Sequence, residues 1–188
     1  TVLDAGTDPE QVAVSPDGTR IFAANEDAGL ATIVEIASGE VIAELPVGSE
    51  PEGVSLSPNG RFVYVTSEND SQVSVIDTAA LEVVAVFDVG ARPRSSAFSP
   101  DGSRAYVTAE NGGTVSVVDT ATHTVIDTIE LTGESTAEAT WYFEDRLIFA
   151  KADYRLRGAG FYRDRYVKVD GRWKIQHTGY VRTFEEVQ

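Results

Sequence analysis

Short runs in which Val, Ile, Phe and Tyr alternate with small or polar residues fill the first two-thirds of the chain. In one stretch they are Gly53–Leu56, Phe62–Thr66, Val73–Asp77 and Val83–Val89. A hydrophobic period of two over four to seven residues predicts half-buried strands. Turn-formers separate them. Ser57-Pro58-Asn59-Gly60 predicts a tight reversal, because Pro presets one dihedral, Asn bonds its own backbone and Gly takes the positive φ. The same four-residue pattern stands 42 residues away on either side, as Ser15-Pro16-Asp17-Gly18 and Ser99-Pro100-Asp101-Gly102. Pro9, Pro51 and Pro93 open the three units. Glu26, Glu68 and Glu110, and then Glu35, Asp77 and Asp119, fall at matching phases.

A period in the forties built from four short strands predicts blades of a β-propeller, and therefore an all-β protein. The blades fall at 9–50, 51–92 and 93–131. Thr1–Gly6 aligns with the fourth strand of a unit, so the chain is expected to open on the tail of a blade it lacks. Arg61-Phe62-Val63-Tyr64-Val65-Thr66 with Val73-Ser74-Val75-Ile76-Asp77-Thr78, and Ala105-Tyr106-Val107-Thr108 with Val115-Ser116-Val117-Val118-Asp119-Thr120, resemble the YVTN-type propeller repeat. That resemblance implies a secreted or cell-surface setting. Closed propellers carry four to eight blades, and three leave two flanks exposed, which calls for a cap or a second copy.

The period fails after Leu131. Ala137–Glu144, Leu147–Arg155, Gly160–Val169 and Arg172–Phe184 read as four further strands, with Gly158-Ala159-Gly160 as hairpin punctuation and Ser135–Trp141 at most a short helical turn. Asp170-Gly171 is a strong two-residue hairpin signal. The stretch Gly160-Phe161-Tyr162-Arg163-Asp164-Arg165-Tyr166-Val167-Lys168-Val169-Asp170-Gly171-Arg172-Trp173 resembles the closing hairpin of SnoaL-like domains, and Ala139-Thr140-Trp141-Tyr142-Phe143 an earlier strand of their sheet. The resemblance spans 136–187 and implies part of an α+β cone, often a dimer, whose pocket hosts dehydratase, cyclase or hydrolase chemistry. The helices that precede that sheet, and the family's His/Asp acid–base residues, have no counterpart here. A partial propeller over 1–131 followed by a β-rich fragment over 132–188 reads as two modules joined, an engineered or recombined chimera.

Charge sharpens the boundary. Residues 1–135 hold 22 Asp and Glu against 5 Arg, whereas 136–188 hold 8 against 10 Lys and Arg, along with 11 of the 17 aromatic residues. A shift in both properties near 132–137 marks a module boundary. The acidic repeats argue against nucleic acid, since neutralising phosphates takes clustered Lys and Arg. No apolar run reaches the ~18 residues that would predict a membrane helix. Cysteine is absent, which removes disulfides and thiolate metal sites. Methionine is absent as well, so a processed or excerpted chain is expected.

Candidate chemistry is sparse. His177, Asp164, Tyr142, Tyr166 and Arg182 are the residues in the tail able to move protons or polarise a substrate. His177 with Asp164 would make a general acid–base pair if both faced one pocket. His123, in an Ala-Thr-His-Thr turn, reads as a solvated turn residue. The acidic turns lack the dense Asp spacing of a calcium loop, two isolated histidines do not make a zinc site, and no nucleophile elbow is present. These observations predict a non-enzymatic structural or binding scaffold, without cofactor or metal, that associates with copies of itself and displays a surface to a protein or carbohydrate. The alternative is a SnoaL-like lyase, cyclase or hydrolase acting on a small organic substrate through the C-terminal segment.

Overall fold

The computed structural model describes residues 5–133, 135–149 and 154–187, with side chains described for 5–133, 135–140 and 159–182. Among these residues every regular element is a strand and every described pairing is antiparallel. The protein is all-β. No helix among the described residues is long and apolar enough to cross a membrane. The chain forms two compact units, the first running to Val125 and the second starting at Ile126.

In the first unit β1 (Pro9–Val14), β2 (Arg20–Asn25), β3 (Leu30–Glu35) and β4 (Val41–Pro46) pair in sequence order. The pattern repeats strand for strand in β5 (Pro51–Leu56), β6 (Phe62–Ser67), β7 (Gln72–Asp77) and β8 (Glu82–Asp88). It begins a third time with β9 (Pro93–Phe98), β10 (Arg104–Ala109) and β11 (Thr114–Asp119). The turns behave as their sequences dictate. Gly18, Gly60 and Gly102 hold φ of 70°, 72° and 71°. Asp17 Oδ1 accepts from the Ser15 hydroxyl at 2.6 Å and the Thr19 amide at 3.0 Å. Those bonds, the hydroxyl first, hold the Asp17 carboxyl at about 2.

Alternation along the middle sheet divides its side chains between two cores. Val63, Val65 and Ile76 join Phe22, Ile33 and Val54 in one cluster, while Tyr64, Val73 and Val75 join Ala105, Val107 and Val118 in the other. Successive strand residues point to opposite faces, so a sheet packed on both sides becomes a continuous apolar run. Gly53 marks a close approach of two backbones: a Cβ there would lie 2.6 Å from the Arg94 carbonyl oxygen on β9.

The chain leaves the first unit inside β12 (Thr124–Gly133). The second unit then holds three long strands, β13 (Thr136–Phe149), β14 (Tyr154–Val169) and β15 (Arg172–Val187). This corrects the expectation of four. Asp145 and Arg146, read as a break, pair with Gly158 and Arg157, and Gly160 pairs with Phe143 inside β14. Partners on both sides complete the ladder there, so pairing overrides the weak strand preference of glycine, leaving a bulge at Ala159/Gly160. Ser135–Trp141 contributes to a strand rather than a helical turn, since Thr136 already pairs with Val167. The Asp170-Gly171 hairpin forms as expected, with φ of 51° and 75°. The proposed opening strand at Thr1–Gly6 lies mostly outside the described residues.

Candidate functional site

Register decides which side chains of the second unit share a face. Ile129 stands opposite Ala139, Ala139 opposite Asp164, and Asp164 opposite Thr178, so these four lie on one face. The Thr178 hydroxyl donates to Asp164 Oδ1 at 2.5 Å, and the Tyr166 hydroxyl, two residues along the strand, donates to Oδ2 at 3.0 Å. Both carboxylate oxygens are therefore oriented.

Asp127, two residues before Ile129 on β12, belongs to the same face. It is 9% exposed. Its Oδ1 accepts from the Thr128 amide at 2.7 Å, and its Oδ2 is buried with no hydrogen-bond partner among the described residues. Burial raises its carboxyl to about 6, the Asp164 charge adds to the rise, and the Thr128 amide opposes it. Sequence reasoning passed over this residue. The signal was present: one and two periods earlier the position holds Ala85 and Ala43, which pack against the two apolar cores of the first unit.

His177 goes elsewhere. A regular hairpin about Asp170-Gly171 would bring His177 opposite Asp164. A bulge between Arg165 and Tyr166 leaves Gln176 without a partner, and beyond it His177 pairs with Arg165 while Thr178 pairs with Asp164. One extra residue moves each later side chain to the other face. His177 and Asp164 therefore point to opposite sides of the sheet, and the expected acid–base pair does not form. Of the other candidates, Tyr166 stays with Asp164, and Arg182 stands opposite Gly160. Tyr142 sits on β13 opposite Phe161, with its side chain outside the described residues.

The opposite face carries Arg165, whose Nε and Nη2 lie 2.9 Å and 2.7 Å from Glu138 Oε1, together with Arg163 and His177. A cleft of about 580 Å³ opens among them, and the intervening strand positions Ala139, Asp164 and Tyr180 also line it.

In the first unit His123 corrects its expectation too. Rather than solvated, it is half-buried, its Nδ1 lies 2.8 Å from the Tyr64 hydroxyl, and its ring meets Phe62 edge-on at 4.7 Å. The acidic turns separate into two arrangements. Asp8, Glu10 and Glu26 bring carboxylate oxygens within 4.8 Å of one another, and the Glu10 carboxyl, sharing a hydrogen bond with Glu26, raises the latter. One period on, Arg92 and Arg94 occupy the positions of Glu50 and Glu52 and bridge to buried Glu68, with Arg94 also 2.7 Å from Glu52. Desolvation nevertheless pushes Glu52 up to about 7, against the Arg94 charge.

A family model for the SnoaL-like domain matches residues 75–179, from inside β7 to inside β15. The match begins well before the hairpin that first suggested it and spans 132–137, where a junction of unrelated modules was expected. Among solved structures, hydrazine synthase from Kuenenia stuttgartiensis superposes with a TM-score of 0.63 at 18% identity, over 97% of this chain and 67% of that one. A functionally unknown protein from Desulfotomaculum acetoxidans gives 0.59 at 16% identity, over 94% and 62%. The chain thus spans about two-thirds of the first and less than two-thirds of the second, and at these identities the likeness is one of fold.

Proposed function

The chain belongs to the SnoaL-like domain family, whose model matches more than half of it, and from that premise we propose that its second unit is an acid–base enzyme acting on a small organic substrate, in the lyase, cyclase or hydrolase class. The observation that carries the reading is the pair of carboxyl groups, Asp127 and Asp164, on one face of the sheet. Their environments differ in the way acid–base chemistry needs. Asp127, raised to about 6 by burial, keeps its proton over a range where an ordinary aspartate has lost it, and serves as the general acid. Asp164, steered by Tyr166 and Thr178, accepts a proton from substrate. Removing a proton beside an electron-withdrawing group while protonating the departing oxygen is elimination; the same two transfers in other substrates give ring closure or hydrolysis.

The test combines titration with turnover. Carboxyl-detected NMR is expected to place Asp127 near 6. A panel of β-hydroxy carbonyl compounds, epoxides and lactones is expected to include at least one that is turned over, with Asp127→Asn and Asp164→Asn each slowing it about 10²–10⁴-fold. Above pH 6 the rate falls as Asp127 loses its proton. An Asp127 that titrates near 4, together with no turnover across the panel, sinks the reading.

A second reading attaches to the first unit. β1–β4 and β5–β8 repeat strand for strand at the 42-residue period, and the YVTN-type resemblance of these repeats supports propeller-type blades. We infer for this unit a scaffold role that needs no catalytic group, presenting blade flanks to a second copy and a surface to a protein or carbohydrate.

A further inference from the structure

We propose that the face opposite Asp127 and Asp164 holds a separate site for a singly charged organic carboxylate with a small apolar body. Three observations converge on Gly179. It stands directly across from Arg163 on β14, and Arg163 in turn from Thr140 on β13. Its backbone does not require glycine, since its φ is not positive and an added Cβ would meet only the His177 ring, at an ordinary 3.5 Å. What glycine supplies is room: the missing side chain opens the cleft of about 580 Å³ beside Arg163, within the size range of small-molecule sites.

The charges around that opening select the ligand. Arg165 is committed to Glu138 through two nitrogens. Arg163 forms no ion pair among the described residues, and its fork of N–H donors matches a carboxylate at two points. With Glu138 adjacent and Asp164 also in the cleft's lining, one guanidinium without an ion pair among the described residues suits a single negative charge better than the double charge of a phosphate. Two residues along each strand, Phe161 and Val181 pair across the same face, with Val181 56% exposed. That step is roughly 6.8 Å along a strand, the reach from a carboxylate to the far side of an attached ring. The site thus has a cationic end and an apolar end.

Benzoate is the probe, titrated into the full chain at fixed ionic strength and followed by calorimetry and by NMR shifts of Gly179 and His177. Saturable binding is expected that moves both resonances. Arg163→Ala should weaken it at least about tenfold, Arg163→Lys less, because the two-point geometry is lost but the charge stays. Gly179→Val should also weaken it about tenfold by filling the cleft, with unchanged circular dichroism because valine suits a strand. Asp127→Asn should leave benzoate affinity as it is, so this site and the proposed acid–base pair stand or fall separately. The proposal is overturned if benzoate moves neither Gly179 nor His177, if Arg163→Ala binds as tightly as the original chain, or if inorganic phosphate binds more tightly than benzoate.

Discussion

Tyr64 and His123 show what a repeat does when two of its positions change together. One period earlier the same places hold Phe22 and Leu81, both part of the first apolar cluster or packed on it. At the second cluster the pair has become polar, with the hydroxyl of fully buried Tyr64 and Nδ1 of His123 sharing a hydrogen bond. Burial lowers the His123 pKa, Arg61 adds to the fall, and Asp119 works against it. The folded chain therefore holds neutral imidazole more firmly than the unfolded chain does. The stability involved is present above the unfolded value near 6.5 and is lost as pH falls through the folded one. His123→Leu should remove that loss, and the backbone tolerates leucine because Leu81 already adopts φ 54° at the matching turn. Urea unfolding of both chains from pH 7.5 to 5 measures the difference, which cancels the titration of Glu52 and other carboxylates. Equal pH slopes would refute the assignment. Tyr64→Phe, which strands the imidazole nitrogen, should cost about 1 kcal/mol at pH 7.5.

At the level of elements the deciding feature of the second unit is a single unpaired residue, Gln176. Deleting it should close the bulge and give one-to-one pairing through this stretch, with His177 still across from Arg165 and Thr178 still on the Asp164 carboxylate. The Thr178 hydroxyl bond, worth about 1 kcal/mol, should be kept, and the cross-strand NOE from His177 should stay on Arg165. An NOE that leaves Arg165 would mean that the bulge re-forms with another residue, and that the strand itself rather than the extra residue demands it. The same bulge marks the limit of what the sequence discloses. Period-two alternation and the Ser-Pro-Asp-Gly turns locate β5 to β8 within a residue or two, because each strand is short and bounded by chemistry of its own. β13 and β14 are not bounded in that way. Gly158 and Gly160 look like a turn until the partner strands are known, since glycine carries no side chain to argue for a face. Tyr166 and Asp164 were legible as polar neighbours on one strand face. Asp127 was legible only as a departure from Ala43 and Ala85, and the bulge at Gln176 carries no glycine to mark it.

Across the whole molecule the two units differ in how their strands meet water. In β6 and β7, Val63, Tyr64, Val65, Val73, Val75 and Ile76 are all fully buried, held from both sides by separate apolar clusters. On β15, Ile175 is 60% and Tyr180 61% exposed. Hydrogen bonds along a ladder protect amides only as long as the side chains that cover it stay in place, and local opening is cheapest where few apolar contacts break. Repulsion does not reverse the order. The fully buried positions of β6 and β7 carry no charge, and at the junction nearby Arg92 and Arg94 neutralise Glu68. Native-state hydrogen exchange should therefore find the amides of β6 and β7 opening only with global unfolding, and those of β15 exchanging on the order of a hundredfold faster through local opening. Adding denaturant should leave the β15 rates nearly flat while the β6 and β7 rates climb, because only the latter expose a large surface when they open. If both sets climb together with one slope, the second unit is stabilised by the same cooperative event as the first, and the acid–base face it carries is far more rigid than its exposed strand suggests.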